Sequence, residues 1–256
     1  MAKLRLDKLL TDRGLVSSRE RAQAMILAGR VLVNEQKIEK PGTQVDEQSP
    51  VRLLGNDLRY VSRGGLKLEH ALKHWGIDVR GETCVDIGVS TGGFTDCLLQ
   101  HGAARVIAID TGYGQMNLRV RDDARVRLLE KTNARYLTAE SIGEPVQFMA
   151  MDVSFISATL VLPAAVQSIR AVSGATALEA VVLVKPQFEA GRGQVGKGGI
   201  IRDAATQQAA VEKVSSAMRA LEFAKIEITE SPILGSEGNK EFLLYGVSQG
   251  ERPDSR

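Results

Sequence analysis

The stretch Val85-Asp86-Ile87-Gly88-Val89-Ser90-Thr91-Gly92-Gly93-Phe94-Thr95 has the composition of a ligand-binding turn. An apolar run ends at Ile87, glycines follow, and a helical pattern begins. Glycine lets a backbone approach a bound molecule closely, and in doubly wound sheets ligands occupy the crevice at the carboxyl ends of the strands. The spacing Gly88-x3-Gly92-Gly93 does not meet the G-x-G-x-x-G pattern of dinucleotide sites. Asp110 closes the next apolar run, 24 residues after Asp86, where a carboxylate can accept hydrogen bonds from both hydroxyls of a ribose. Together these residues point to a nucleoside-containing cofactor. The competing reading is a tight glycine turn with a helix-capping aspartate.

Asp152, in Met151-Asp152-Val153-Ser154-Phe155, ends a later apolar run, which brings a third carboxylate to the same edge; alternatively it caps a helix starting at Ser154. This segment is not the Asn/Asp-Pro-Pro-aromatic tetrapeptide of enzymes that methylate base amino groups. Carbon methylation needs a cysteine nucleophile in an exposed loop, whereas Cys84 falls in a strand pattern and Cys97 in a helical one. Lys185 follows Ala180–Val184 and precedes Pro186, at the end of a core strand. Burial or a second cation lowers the pKa of such a lysine and makes it a possible base, against the alternative of a snorkelling side chain. Lys67, in Ser62-Arg63-Gly64-Gly65-Leu66-Lys67, could be that cation or an ordinary helix-surface lysine. Glu241 begins the last strand and Glu237 is its rival for any role there.

The elements that position these residues alternate. Strand-like runs at Thr83–Ile87, Arg105–Ile109, Val146–Met151 and Ala180–Val184 are separated by helical patterns around Leu98 and Leu99, at Ile156–Ile169 and at Arg202–Leu221. This implies an α/β fold with a mostly parallel sheet covered on both faces. Lys225–Thr229 and Glu241–Val247 lack an intervening helix and predict an antiparallel edge hairpin. Ahead of them, Leu6, Leu9 and Leu10 predict one short helix ending at Gly14. Ser17 and Glu20 form a capping box for a second, which Gly29 closes. Small strands at Val31–Val33, Ile38 and Val51–Leu54 complete a separate α+β module. The linker is placed at Gly55-Asn56-Asp57, giving domains 1–59 and 60–249 and a polar tail 250–256.

Composition excludes other classes. With 43% hydrophobic and 25% charged residues in 256, the chain is an ordinary folded protein. Two cysteines and three histidines form neither a disulfide framework nor a metal-ligand cluster. The absence of a long apolar run disfavours membrane insertion and secretion, and a reducing cytoplasmic setting is expected. Residues 1–59 hold 11 Lys+Arg against 8 Asp+Glu, and the remainder 22 against 23. A small basic module joined to a near-neutral larger one suits a polyanion partner, with Arg5, Arg19, Arg30 and Lys37 as its candidate RNA contacts.

Asp86–Thr95, Met151–Phe155, Val184-Lys185-Pro186-Gln187-Phe188-Glu189 and Gly238-Asn239-Lys240-Glu241-Phe242 together resemble the TlyA family over nearly the whole chain. That family is similar to the FtsJ-type ribose methyltransferases, and its members also carry the name hemolysin A. Leu6–Leu54, with Ser18-Arg19 and Gly29-Arg30-Val31-Leu32-Val33-Asn34, resembles the alpha-L RNA-binding domain of ribosomal protein S four. Thr91 and Phe94 depart from the proline and tryptophan common in FtsJ, and Asn34-Glu35 replaces a frequent Asn-Gly.

The resemblance implies a Rossmann-like class I methyltransferase that uses S-adenosylmethionine to methylate a ribose 2′-hydroxyl of ribosomal RNA, at a cytidine of the large subunit, and it leaves open whether the small subunit is a target as well. It implies a tetrad of Lys67, Asp152, Lys185 and Glu241. In it Lys185 is the base, its pKa lowered by burial and Lys67, and the two carboxylates hold the lysines in place. Asp86, Gly88, Ser90, Thr91, Gly92, Gly93, Phe94 and Asp152 would seat the cofactor, with Asp110 on its ribose and Asn133 at its adenine edge. Two other classes compete: a catalytically silent ribosome-assembly factor, and a pore-forming hemolysin, for which no amphipathic insertion element is visible.

Overall fold

In the computed structural model the apolar runs of the second half become strands of one sheet. Residues 3–16, 18–54, 59–174, 176–191, 196–235 and 238–249 are described. Ser17, the Gly55-Asn56-Asp57 linker, Glu237 and the tail 250–256 lie outside them. The chain divides into two units, Met1–Arg59 and Tyr60–Arg256.

The first unit runs β1 (Lys3–Arg5), α1 (Leu6–Asp12), α2 (Arg19–Leu27), β2 (Val31–Val33), β3 (Gln36–Ile38), β4 (Gln44–Asp46) and β5 (Val51–Leu53). Leu6, Leu9, Leu10, Ala22, Met25 and Ile26 bury one stripe of each helix against Val31, Val33 and Val45. α2 is capped by Ser18, whose Oγ accepts the Arg21 amide at 3.2 Å. The described cap thus stands one residue beyond the Ser17 of the expected capping box. β2 pairs with both β3 and β5, and the short β1–β4 pair was not anticipated. Asn34 and Glu35 both have positive φ, 51° and 61°, which makes their turn type I′. Glu35 sits where glycine is easier, and Arg52 of β5 grips its carboxylate through Nε at 3.1 Å.

The second unit continues with α3 (Gly64–Trp75), β6 (Thr83–Ile87), α4 (Gly93–Gln100), β7 (Arg105–Ile109), α5 (Leu118–Arg121), β8 (Val126–Leu129), α6 (Ala139–Ile142), β9 (Phe148–Met151), α7 (Leu162–Ser173), β10 (Glu179–Val184), α8 (Pro186–Glu189), α9 (Ala204–Ala220), β11 (Phe223–Glu230) and β12 (Phe242–Ser248). The sheet order is β11-β12-β10-β9-β6-β7-β8. The five strands from β10 to β8 are parallel, and β12 is antiparallel to both β10 and β11. This is the mostly parallel sheet with an antiparallel edge hairpin that the apolar runs implied. β8 is four half-buried residues in which Arg127 interrupts the apolar Val126, Leu128 and Leu129, too weak a run to be read as a strand.

Side chains alternate along the strands. Val85, Ile87, Ile107, Ile109, Met149, Met151, Val182 and Val184 pack under α7 and α9 on one face. Cys84, Val106, Ala108, Phe148, Ala150, Val181 and Leu183 pack under α3 and α4 on the other. The helix expected from Ile156 instead begins at Leu162, after a 3-10 turn at Ala158–Leu160. Pro163 has no amide hydrogen to donate and belongs in a first turn, so a helix running through it from Ile156 is disfavoured. Chain order reverses between β6 and β9: β7 and β8 build outward on one side, and β9 and β10 on the other. That switch point is where a doubly wound sheet opens a crevice at its carboxyl edge.

Candidate functional site

Each polar side chain singled out at a strand end arrives at this edge because the strand before it is parallel to its neighbours. Gly88 follows β6, Asp110 follows β7, Asp152 follows β9 and Lys185 follows β10. Glu241 reaches the same edge the opposite way. β12 is antiparallel, Val184 pairs with Phe242, and the residue before Phe242 therefore stands beside the residue after Val184. Lys67 comes from the first turns of α3, packed over the same face as α4.

Two adjoining cavities result. One, of about 270 Å³, is lined by Lys67, Asp152, Lys185 and Glu241 together with the turn residues Gly88, Ser90, Thr91, Gly93 and Phe94. The other, of about 370 Å³, is lined by Asp110, Gly112, Gln115, Asn133, Phe155 and their neighbours. Gly88, Ser90, Asp152 and Ser154 belong to both walls, so a molecule in the second cavity can present an atom to a molecule in the first.

In the smaller cavity the charges are matched in pairs. Lys67 Nζ lies 2.5 Å from Glu241 Oε2, and the two side chains are 10% and 3% exposed. Lys185 Nζ lies 2.5 Å from Asp152 Oδ1 and donates to Ser154 Oγ at 2.7 Å. Lys67 is thus a buried, paired residue rather than a helix-surface lysine, and Asp152 faces a lysine rather than capping a helix. The described residues contain no group of three or more metal-ligating side chains.

In the larger cavity the Asp110 carboxylate accepts the Ser90 amide at 2.7 Å and the Gly112 amide at 2.6 Å. Each oxygen keeps a lone pair for a further donor, which suits the two hydroxyls of a ribose. Asn133 is exposed on the wall, its side chain accepting the Arg135 amide at 3.1 Å.

Asp86 and Gly92 line neither cavity. Asp86 sits at an even position of β6, facing α4, and is fully buried; Thr95 donates to its Oδ2 at 2.6 Å. Burial pushes this carboxyl up to about 7, with Asp152 and Asp110 adding to the rise. Asp86 therefore supports the turn from beneath. The glycines, too, serve the chain's own packing: a Cβ on Gly88, where φ is +88°, would lie 2.4 Å from the Asp152 carbonyl oxygen, and one on Gly93 would lie 2.9 Å from the Gly65 amide nitrogen. The close approach that these two positions require is of backbone to backbone. Both cysteines are buried, and burial pushes the Cys84 thiol up, the opposite of what a nucleophile needs.

Phe155, in the Met151–Phe155 segment, is a further residue of the site. It is 90% exposed and has a φ of +63°, a backbone conformation rare for a bulky residue and characteristic of functional sites. No sequence signal announces the left-handed turn, since neither glycine nor asparagine marks it.

In the first unit Asp7 gathers two of the four candidate RNA contacts, Arg5 and Arg19. Its buried carboxylate accepts Arg5 Nε at 3.0 Å and Nη2 at 2.9 Å, Arg19 Nε at 3.1 Å and Gln23 Nε2 at 3.0 Å. These hydrogen bonds, led by that of Arg5, hold the Asp7 carboxyl well below the usual carboxylate range. Arg5 and Arg19 remain about half exposed, so their outer edges are free for a phosphate. Arg30 is exposed, and Lys37 pairs with Glu39 at 2.8 Å on the surface.

Comparison with known proteins gives the families that the chain resembles. The profile of the FtsJ-like methyltransferases matches residues 60–247, and that of the S4 domain residues 4–51. The 16S/23S rRNA (cytidine-2'-O)-methyltransferase TlyA of Mycobacterium tuberculosis is 42% identical over 251 residues, spanning 97% of this chain and 91% of that protein. Hemolysin A of Brachyspira hyodysenteriae is 40% identical over 245 residues, spanning 95% of this chain and all of that protein. Among solved structures, a Streptococcus thermophilus protein described as a hemolysin has a TM-score of 0.73 at 40% identity and covers 99% of this chain and 90% of its own. No helix among the described residues is long and apolar enough to cross a membrane.

Proposed function

The chain belongs to the FtsJ-like methyltransferases, in the TlyA family, and from that premise we propose that it methylates a ribose 2′-hydroxyl of ribosomal RNA, at a cytidine, with S-adenosylmethionine as donor. The observation that carries this reading is the meeting of two lysine–carboxylate pairs in one cavity that shares a wall with the cavity of Asp110. The fit to the cofactor rests on Asp110, whose free lone pairs face the larger cavity, and on the polar wall of Ser90, Gly112 and Asn133.

S-adenosylmethionine, when bound, supplies a sulfonium methyl group. A ribose hydroxyl has a pKa far above 7 and has to lose its proton as it attacks. As the hydroxyl oxygen takes up that methyl group, Lys185 Nζ would accept the hydroxyl proton. Asp152 and Ser154 aim that nitrogen. Lys67, anchored on Glu241, supplies a cation that favours the developing oxyanion. Phe155 offers a ring at the mouth against which a base drawn out of the RNA can stack. The first unit grips phosphates through Arg5 and Arg19, with Arg30 and Lys37 adding charge. Acting on ribosomal RNA, the protein would work in the cytoplasm.

The test is transfer of a tritiated methyl group from S-adenosylmethionine to ribosomal subunits and to naked ribosomal RNA, followed by nuclease digestion and nucleoside analysis. Label on a 2′-O-methylcytidine is expected, in large-subunit RNA and in small-subunit RNA as well. Label on a base overturns the ribose assignment, and binding without transfer supports an assembly factor.

A further inference from the structure

Among the buried carboxylates that the mechanism leaves unused is Glu189. Glu189, the last residue of α8, has a side chain only 2% exposed, and burying a carboxylate is costly unless hydrogen bonds compensate it. Its Oε1 accepts the Ala158 amide at 2.6 Å, Ser157 Oγ donates to its Oε2, and Lys213 Nζ of α9 lies 3.2 Å away. Ala158 opens the 3-10 turn at Ala158–Leu160, so its amide has no acceptor within the turn and needs one from outside.

These contacts join the same two segments that meet in the catalytic cavity. Asp152–Ala158 leaves β9 and Lys185–Glu189 leaves the adjacent β10. They are linked three times: by Lys185 to Asp152 and Ser154 at the cavity, by Phe188 to Phe155 with ring centroids 5.2 Å apart, and by Glu189 to Ser157 and Ala158 in the interior. The Phe155 backbone, in its left-handed conformation, lies between the inner and outer links.

We infer that Glu189 is a positioning residue for methyl transfer, a buried clamp that holds the Asp152–Phe155 segment against Lys185. The inference rests on the proposed function. Glu189 touches neither cavity, so its removal acts on the placement of the base and not on substrate or cofactor affinity. A displacement near 1 Å at a reacting group costs about 100-fold.

The experiment compares wild type, Glu189→Ala, Glu189→Gln and Glu189→Asp in two measurements: steady-state transfer of tritiated methyl to ribosomal subunits, and hydrogen exchange of the amides of residues 153–160. In Glu189→Ala those amides exchange faster and kcat falls roughly 10- to 100-fold, while KM for S-adenosylmethionine and for subunits stays within about twofold. Glu189→Gln, whose amide can still accept from Ala158 and donate to Ser157, recovers kcat to within about fivefold. Unchanged exchange, an unchanged kcat despite faster exchange, a rise in KM alone, or a Gln variant as slow as Ala overturns the clamp. Should Glu189→Ala fail to fold, Glu189→Asp decides: it keeps the charge but withdraws the carboxylate by one methylene, and wild-type kcat in the folded variant refutes the inference. If the wild type transfers no methyl, the proposed function falls, and the exchange measurement alone tests the link between the two segments.

Discussion

Glu241→Gln, alone and combined with Lys67→Met, separates what the buried pair does for stability from what it does for chemistry. At 2.5 Å and an effective dielectric of 20, the Coulomb attraction of the pair is about 7 kcal/mol. Desolvating two ions costs several kcal/mol each, so the intact pair comes close to break-even, whereas a lone buried charge loses its compensation. Glu241→Gln leaves Lys67 facing a neutral amide that still offers one acceptor, so the loss belongs at the lower end of the range for breaking a buried pair, about 3 kcal/mol. For a unit of this size that lowers Tm by about 6–12 °C. Lys67→Met in the same chain removes the stranded charge, and the double variant is expected to recover most of the loss. Methyl transfer does not recover, because the cation at the cavity is gone. Calorimetric unfolding and tritiated methyl transfer are measured on all three proteins. A double variant no more stable than Glu241→Gln refutes the reasoning about the pair, and one that is fully active refutes the place of Lys67 in the reaction.

Lys185→Arg is expected to lower kcat by roughly 100- to 10,000-fold, since arginine cannot be deprotonated in proteins, with calorimetric affinity for S-adenosylmethionine nearly unchanged; retained activity excludes the base role. Asp110→Ala is expected to weaken S-adenosylmethionine binding by about 1.5–3 kcal/mol, and unchanged affinity by calorimetry removes Asp110 from the cofactor site. Burial raises the Asp86 carboxyl to about 7, so between its unfolded value near 4 and 7 the folded state binds the extra proton and stability falls as pH rises. Asp86→Asn should flatten that fall, so that the variant gains on the wild type from pH 5 to pH 8; parallel Tm curves contradict a buried, proton-binding Asp86. A chain beginning at Tyr60 is expected to fold yet lose most of its salt-sensitive RNA affinity, and filter binding that equals the full chain takes Arg5 and Arg19 out of RNA recognition.

The strands, and the edge at which they deliver chemistry, are legible in the sequence. Thr83–Ile87 and Arg105–Ile109 are legible because a parallel strand is buried on both faces and reads as an unbroken apolar run, and the residue after such a run must fall at the carboxyl edge. That rule locates Gly88, Asp110, Asp152 and Lys185 without coordinates. The quoted motifs carried the resemblance that named Lys67 and Glu241. The tertiary structure decided which charges are buried and with whom, because burial and pairing depend on residues distant in the chain. Lys67 reads as a helix-surface lysine until β12 runs back along β10 and brings Glu241, 174 positions away, to 2.5 Å. Asp86 reads as a ligand contact until the alternation of β6 turns it under α4. Phe155 carries no local mark of its left-handed backbone, which survives where surrounding structure over-determines it. The buried partners of Asp7 and Glu189 follow the same logic: a carboxylate in the interior is set by the donors that packing brings to it.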